Sequence, residues 1–348
     1  MYNLVHNQSG QYSQYSQIED VLLQYELEIN EVTKGRGTYI CHTKDGELVL
    51  MGFRGTKEKG DYLKTHLEAL NDAGFSVEQI LKNKEGEAVT IDEITGERFL
   101  LKEYRTGTEL NVNQLKELKE ASALLARYHT IAVELSRNHS ENHLEEGAHS
   151  DDMQCVVEEK EKHLRELVKV RNYIRNRKKK NEFERIYLNA YEPMVQKAKA
   201  SIAVLEKETK TVLPSCICHG DYNQHNILLS GNEWRMVNFE NFVYRWCIWD
   251  LANFLRKMQE KNDWDIHIGR ELILSYAKIR PLGEEEIEKL YGLLLFPEKF
   301  WKVTNHYMNS RKNWICERDI EKLKKVIAQE NKRMACMEAL FPHQYSFT

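Results

Sequence analysis

The sequence predicts an α+β protein in which a small, antiparallel, β-rich lobe with one helix precedes a larger, mainly helical lobe. Three observations support this class. Short apolar runs alternate with turn residues in the ranges 27–53 and 87–104, whereas apolar residues at helical spacing dominate after residue 114. The chain also has only five prolines in 348 residues, well below the average of about 5%, which favours helix.

The first lobe is predicted over residues 18–104, after a polar, QYS-repeating segment (1–17) that reads as a flexible tail. Strands are expected at 27–32, 38–43 and 47–53, with Asp45-Gly46 as the hairpin turn before the third strand. A helix follows at 57–73, because its leucines recur along one side. Two more strands, 87–93 and 98–104, complete a small antiparallel sheet.

A short linker at 105–110 leads into the helical lobe, predicted over residues 111–342. Residues 114–132 have the apolar spacing of a helix, and the heavily charged range 152–210 suits a pair of long helices. Only residues 217–242 interrupt this pattern, with the strand–loop–strand character of a catalytic-type loop. Helices are expected again over 270–340.

Composition and charge exclude several classes of protein. No stretch approaches the roughly 18 consecutive apolar residues of a membrane span. The first residues lack a basic region followed by an apolar run, so we expect cytoplasmic synthesis without a signal peptide. A net charge of −4 argues against a dedicated nucleic-acid binder. The basic run within 171–180 fits a solvated helix face, with binding of phosphates or acidic partners as the alternative.

The seven cysteines are irregularly spaced, which fits reduced thiols better than a disulfide framework. Cys216-Ile217-Cys218-His219 has the look of a metal motif, but no second Cys/His pair stands at zinc spacing. Side chains alternate along a strand, so the two cysteines share one face and His219 points elsewhere. The sequence therefore predicts buried strand thiols here.

The spacing of polar residues in 217–242 suits phosphoryl transfer. Asp221 follows His219-Gly220, Asn226 follows five positions later, and Asn238-Phe239-Glu240 comes after an apolar strand. In phosphoryl transfer an Asp in such a loop accepts the proton of the attacking hydroxyl, and an Asn from the same loop ligates magnesium. A second carboxylate at the end of the next hairpin strand then holds the metal that bridges the nucleotide phosphates.

These residues resemble the aminoglycoside phosphotransferase and choline kinase group, which has the protein-kinase fold in two lobes. The resemblance rests on HGDYNQHN (219–226), ALLARYH (123–129) and WDLA (249–252), and the order of lobes agrees over roughly residues 20–340. Within the group the chain is most similar to the CotS family of spore coat proteins, through RGTKEKGDYL (54–63), VRNYIRNRKKKNEFE (170–184) and VNFENF (237–242).

The resemblance implies roles for particular residues. Asp221 would be the catalytic base and Asn226 a magnesium and nucleotide ligand, with Asn238 at the position of the remaining metal ligand. Glu240, two residues further on, is the candidate to substitute for it, although a shift of two positions moves a ligand several ångströms along the chain. Gly35 and Gly37 would belong to the loop that covers the phosphates. Glu68, with Glu58 as the weaker alternative, would be the acidic partner that the helix offers to a lysine on the third strand.

Two of these anchors depart from the family pattern. The family's magnesium-binding aspartate falls on Asn238, which offers one neutral oxygen in place of an anion. The third strand contains no lysine, and Met51 stands near the expected position. Asp221 also has a structural alternative, since an Asp in a tight loop often caps its own backbone.

Two hypotheses follow from these anchors and departures. The first is a spore coat protein with a kinase-like fold and weakened or lost phosphotransfer, working without a cofactor beside other coat proteins. The second is an active phosphotransferase that uses ATP and Mg²⁺ on a small hydroxylated or amino substrate. Under the first hypothesis, restoring Asp at position 238 should not create substantial ATP turnover unless the third-strand anchor is restored as well.

Overall fold

In the computed structural model, residues 11–35, 37–140, 148–309 and 317–345 are described. The chain divides into two compact units, of which the first comprises residues 1–110 and 219–242 and the second residues 111–218 and 243–348. Residues 219–242, predicted as part of the helical lobe, therefore group with the β-rich unit. The reason is local pairing, because strands from 227–236 join a strand from the predicted linker.

The first unit contains a five-stranded antiparallel sheet in the spatial order β1–β2–β3–β5–β4. The strands are β1 (Ile29–Lys34), β2 (Thr38–Thr43), β3 (Gly46–Gly52), β4 (Val89–Ile91) and β5 (Arg98–Glu103). Each predicted strand is present, with ends shifted by a few residues. β3 pairs with β5 in a register that sets Val49 opposite Lys102 and Met51 opposite Leu100.

Helix α1 (Gln11–Leu22) begins inside the segment 1–17, for which a flexible tail was predicted. Residues 1–10 lie outside the described part. The C-terminal half of α1 supplies the apolar surface that the segment before it lacks. Ile18, Val21 and Leu22 are buried in one cluster with the sheet residues Cys41 and Leu50.

Helix α2 (Lys57–Asp72) follows β3, where the helix was predicted. Thr56 caps its N-terminus by accepting a hydrogen bond from the backbone N–H of Lys59, and Leu63, Leu67 and Leu70 are buried. A second, three-stranded sheet has the order β6–β8–β9, with β6 (Thr108–Glu109), β8 (Ile227–Ser230) and β9 (Glu233–Met236). The predicted linker thus contributes a short strand of its own.

The second unit is helical apart from one pair of antiparallel strands, β7 (Ser215–Cys218) and β10 (Val243–Trp246). Its helices are α3 (Leu115–Ser140), α4 (Ala148–Asn176), α5 (Glu182–Glu206), α6 (Cys247–Lys261), α7 (Ile266–Ala277), α8 (Glu284–Leu295), α9 (Glu298–Asn309), α10 (Glu317–Leu340) and α11 (Pro342–Tyr345). The long pair predicted within 152–210 is present as α4 and α5. α5 begins with a capping box in which Asn181 and Glu184 satisfy each other's backbone N–H groups.

The predicted class is confirmed: a small antiparallel-sheet region carries one inserted helix, and a larger part is helical. Among the described helices, none combines the length and apolar character that crossing a membrane requires.

Candidate active site

The loop from His219 to Asn226 is fixed by its own backbone and by the buried His219. The Nε2 of His219 donates to the carbonyl of Val237 at 2.9 Å, and its Nδ1 accepts from the backbone N–H of Asp221 at 3.2 Å. Gly220 has φ +81, and a Cβ there would lie 1.8 Å from the carbonyl oxygen of Asn241. His219 therefore braces the loop, and position 220 accepts only glycine.

Asp221 and Asn226 are brought together by a single 3₁₀ turn (Gln224–Asn226). Asn223 caps this turn by accepting from the backbone N–H of His225 at 2.9 Å. The side-chain amide of Asn226 donates to the backbone carbonyl of Asp221 at 2.9 Å and lies 3.4 Å from its carboxylate Oδ2. The two residues that the motif singled out are thus adjacent, with Asn226 buried and Asp221 half-buried.

Asn238 occupies the left-handed region of backbone conformation, with φ 68 and ψ 62. Asn tolerates this region better than most residues. Its Nδ2 donates to Oδ1 of Asn226 at 2.9 Å, and its backbone N–H donates to the carboxylate of Glu78 at 2.7 Å. Its Oδ1 accepts from the ammonium of Lys102 at 2.9 Å. Asn238 thus links the 219–226 loop to the large sheet.

Lys102 is a residue of the candidate site that the sequence analysis did not single out. Its side chain is 1% exposed, and its ammonium donates to Glu78 at 2.8 Å, to Asn238, and to Glu240 in a short ion pair. All three N–H donors of the ammonium therefore have an oxygen partner. Residues directly opposite each other in a sheet share a face, so Lys102 lies on the same face as Val49 and Met51. A lysine is present on the expected face, but it comes from β5.

The cluster of Lys102, Glu78 and Glu240 is buried, and it holds two carboxylates for one ammonium. Burial raises the pKa of Glu78, and the attraction of Lys102 offsets this only in part, since the charge of Glu240 raises it further. Burial also lowers the pKa of Lys102, but the charges of Glu78 and Glu240 outweigh that effect, so the pKa lies above its usual value. Lys102 is therefore charged at neutral pH.

Glu68, predicted as the acidic partner of a lysine anchor, pairs with Lys64 one helical turn away on α2. Its side chain is 49% exposed, as expected of a surface i,i+4 pair. The carboxylate that pairs with the buried Lys102 comes from Glu78 instead. Glu78 lies in the irregular segment between α2 and β4, where no periodic pattern marks it.

Gly35 and Gly37 lie in the connection between β1 and β2, where the phosphate-covering loop was predicted. Gly35 donates its N–H to the carbonyl of Thr38 at 2.9 Å, and a Cβ on it would lie 2.7 Å from Thr38 Oγ1. Gly37 has φ +76, a conformation that favours glycine. The tight turn is sufficient to explain why glycine stands at both positions. The role of Gly35 and Gly37 in covering nucleotide phosphates stays a prediction.

The oxygens predicted to hold magnesium are engaged by N–H groups. Oδ1 of Asn226 accepts from Asn238, while Oδ1 of Asn238 and the carboxylate of Glu240 accept from Lys102. Mg²⁺ needs near-octahedral oxygen ligands at about 2.0–2.1 Å. A metal ion here would have to displace a buried ammonium of the same charge sign. In this arrangement, therefore, the ammonium of Lys102 is bound by oxygens that Mg²⁺ would need.

Some basic residues of the run in 171–180 make contacts around the C-terminal end of α4. Lys180 donates to the carbonyls of Arg175 and Arg177, and Arg177 pairs with Glu184. The guanidinium of Arg171 lies 5.2 Å from the ring centre of Tyr191. Such contacts favour the structural interpretation of this run.

Comparison with known proteins places the chain in a family. A model of the family described as "Spore coat putative kinase YutH" matches residues 18–340. A curated relative, the hydroxylysine kinase of Danio rerio, is 27% identical over 104 residues. That match covers 26% of this chain and 29% of the relative, so the chain spans less than a third of that enzyme's length.

Solved structures of similar fold are phosphotransferases and kinases. The aminoglycoside phosphotransferase from Alicyclobacillus acidocaldarius has a TM-score of 0.75 at 14% identity, covering 99% of this chain and 98% of that one. The AMP-bound spectinomycin phosphotransferase APH(9)-Ia has a TM-score of 0.63 at 13% identity, with 95% and 98% covered. The amicoumacin kinase hAmiN, in complex with AMP-PNP, Ca²⁺ and Ami, has a TM-score of 0.61 at 14% identity, with 94% and 95% covered. At these identities the likeness shows the fold, and the predicted kinase-like fold is confirmed.

Proposed function

The chain belongs to the family described as "Spore coat putative kinase YutH", and from that membership we propose that it is a spore coat protein whose phosphotransfer activity is weakened or lost. The observation that carries this proposal is the position of Lys102. Its ammonium binds the side-chain oxygens of Asn238 and Glu240, the two residues proposed for the second metal-ligand position. Its place of action would be the coat, after synthesis in the cytoplasm, with other coat proteins as partners.

The physical argument concerns charge. A tethered ammonium supplies one positive charge and three directed N–H groups, whereas Mg²⁺ supplies two charges and binds phosphate oxygens directly. Removing the ammonium from its carboxylates would leave Glu78 buried without a counter-ion, which is costly. The substitution of Asn for Asp at 238 also removes an anion that would compensate a metal. Both features disfavour Mg²⁺ binding and so the transfer of a phosphoryl group.

The test compares the wild type with Asn238→Asp and Asp221→Ala in thermal unfolding, with and without millimolar Mg²⁺·ATP, and in ATP turnover. A ligand at a hundred times its Kd stabilises a protein by about 2.7 kcal/mol, so binding shifts the melting temperature by a few degrees. We expect no Mg²⁺-dependent shift in the wild type and no turnover above the Asp221→Ala background. Mg²⁺-dependent turnover that Asp221→Ala abolishes would overturn the proposal.

One observation favours the second function, an active phosphotransferase that uses ATP and Mg²⁺. Asp221 and Asn226 are adjacent in a rigid loop, as a catalytic base and its neighbouring ligand need to be. The hydroxylysine kinase relative then suggests a small hydroxylated amine as acceptor. The assay is transfer of the γ-phosphoryl group to a panel of amino alcohols and hydroxylated amino acids. Transfer that survives in Asp221→Ala would contradict this function.

A further inference from the structure

A cluster of thiol and imidazole groups is buried in the second unit. None of these groups has a role in the phosphoryl transfer considered above. Cys216 and Cys218 lie on β7, Cys247 begins α6, and His129 lies on α3. All four residues are 0% exposed. The sequence predicts the burial of the strand thiols correctly, but it does not bring His129 or Cys247 to them, because these residues are distant along the chain.

The geometry of the cluster is that of a small metal site. The sulfur atoms of Cys216 and Cys218 and a ring nitrogen of His129 lie within 4.8 Å of one another. The sulfur of Cys247 lies 3.4 Å from that of Cys216, which places a further soft ligand beside the trio. Zinc–sulfur and zinc–nitrogen bonds of about 2.3 and 2.0–2.1 Å set the ligand atoms of a tetrahedral site roughly 3.4–3.8 Å apart. Side-chain shifts of about an ångström would therefore close the site.

His129 has a nitrogen available for a metal. Its Nδ1 hydrogen-bonds to the hydroxyl of Tyr276 at 2.7 Å, which orients the ring in the way a ligating histidine is usually held. Its Nε2 is buried and makes no hydrogen bond to any residue of the described part of the chain. The nearest carboxylate oxygen, on Asp250, is 3.6 Å away.

The thiol of Cys218 donates to the backbone carbonyls of Arg245 and Trp246 at 3.5 and 3.4 Å. Zinc takes cysteine as the thiolate, so metal binding would replace these hydrogen bonds and release the thiol protons.

We propose that His129, Cys216 and Cys218 bind one Zn²⁺ ion, with Cys247 as the fourth ligand. Thiolate and imidazole ligands in a tetrahedral arrangement select zinc among the common divalent ions. Four protein ligands without an open position make the site structural. The ion would tie strand β7 to helices α3 and α6, and its binding would add to the stability of the second unit.

The test uses the full chain, purified without chelator from zinc-supplemented medium. Elemental analysis should find about one zinc per chain, as expected for a closed structural site. Chelation should lower the melting temperature by several degrees. Co²⁺ added to the metal-free protein should give the thiolate charge-transfer band and the intense visible band of a tetrahedral site. Cys218→Ala should lose the zinc and both bands, whereas Cys336→Ala, which removes a buried thiol elsewhere in the same unit, should keep them.

Three results would overturn the proposal. The first is a wild type that carries no zinc and gives no Co²⁺ bands. The second is a Cys218→Ala variant with bands as intense as those of the wild type. The third is a disulfide between Cys216 and Cys247 in the purified protein, detected by alkylation and mass spectrometry. If Cys218→Ala does not fold, the Co²⁺ titration of the wild type decides alone, because the band intensities report the number of thiolate ligands.

Discussion

Replacing Lys102 by Met tests whether the buried ammonium holds the candidate site together. The side chains of Lys102, Glu78 and Glu240 are 1%, 3% and 9% exposed, so the cluster belongs with buried ion pairs and not with surface pairs. Breaking a buried pair by removing one partner costs about 3–5 kcal/mol, against at most about 1 kcal/mol at a surface. Methionine fills a similar volume, so the loss of charge and not a cavity would dominate. We expect the melting temperature to fall by about 5–10 °C.

The loss should also depend on pH. In the wild type, the attraction of Lys102 partly counters the burial that raises the pKa of Glu78. Without Lys102 that pKa rises further above its value in the unfolded chain, so the folded state binds more protons than the unfolded state. The stability of Lys102→Met should therefore fall as the pH rises from about 4.3, the unfolded value of a Glu, through the raised folded pKa. Relative to the wild type, the variant should be least destabilised in acid.

The assay is denaturant unfolding of both proteins between pH 4.5 and 8. Lys289→Met is a matched control, since Lys289 is also buried but donates only to the backbone carbonyls of Val204, Leu205 and Lys207. Its loss should lower stability without the added pH dependence. The double variant Lys102→Met/Glu240→Gln should recover part of the stability. A Lys102→Met protein within about 1 kcal/mol of the wild type at pH 7, with a parallel pH profile, would refute the reasoning.

Three further predictions concern residues around the site and the fold. Glu68→Gln should change stability by less than about 0.5 kcal/mol, whereas Glu78→Gln should cost more than about 1.5 kcal/mol; equal effects in denaturant unfolding would contradict the assignment of Glu78 as the lysine's partner. Gly220→Ala should destabilise the 219–226 loop, because its Cβ would overlap the carbonyl of Asn241, and faster amide hydrogen exchange there would report it. Asn181→Ala should cost about 1 kcal/mol by removing the N-cap of α5, measured as a lower denaturation midpoint, with an unchanged midpoint as the contrary result.

Much of the fold could be predicted because its signals are local. Alternation and helical spacing report which residues a single element buries, and they identified the five strands, α2 and the long pair α4 and α5. The adjacency of Asp221 and Asn226 was also predictable, since five positions in one tight loop leave few conformations. Each of these inferences used residues within about one element of each other.

Lys102 was not predictable in the same way, because its position depends on the pairing of β3 with β5. Only the register that sets Lys102 opposite Val49 shows that an ammonium from β5 reaches the face where a β3 lysine was sought. A usable signal existed, since Lys102 directly follows the apolar run Phe99–Leu101 within the same strand. A lysine buried in a sheet needs acidic partners. Glu78 had no such signal, as it lies in irregular backbone.

Helix α1 shows how an argument from composition depends on the window of residues to which it is applied. The polar segment before Ile18 cannot bury enough apolar surface alone, which predicts disorder. The helix instead runs into Ile18, Val21 and Leu22, whose burial in the sheet cluster stabilises the whole element.

In the structure, the side chain of Asn238 makes two hydrogen bonds that an aspartate at this position could not both make. An amide has a donor end and an acceptor end, and here the acceptor faces Lys102 while the donor faces Oδ1 of Asn226. An aspartate at 238 would satisfy the lysine but would oppose Asn226 oxygen to oxygen, and it would add a third carboxylate around one ammonium. Asn238 and Lys102 are therefore matched to each other, so Asn238→Asp alone should lower stability rather than restore a metal site. The double variant Lys102→Met/Asn238→Asp removes the ammonium and leaves three carboxylates without a counter-ion, so of these variants it alone should gain melting temperature when Mg²⁺ is added.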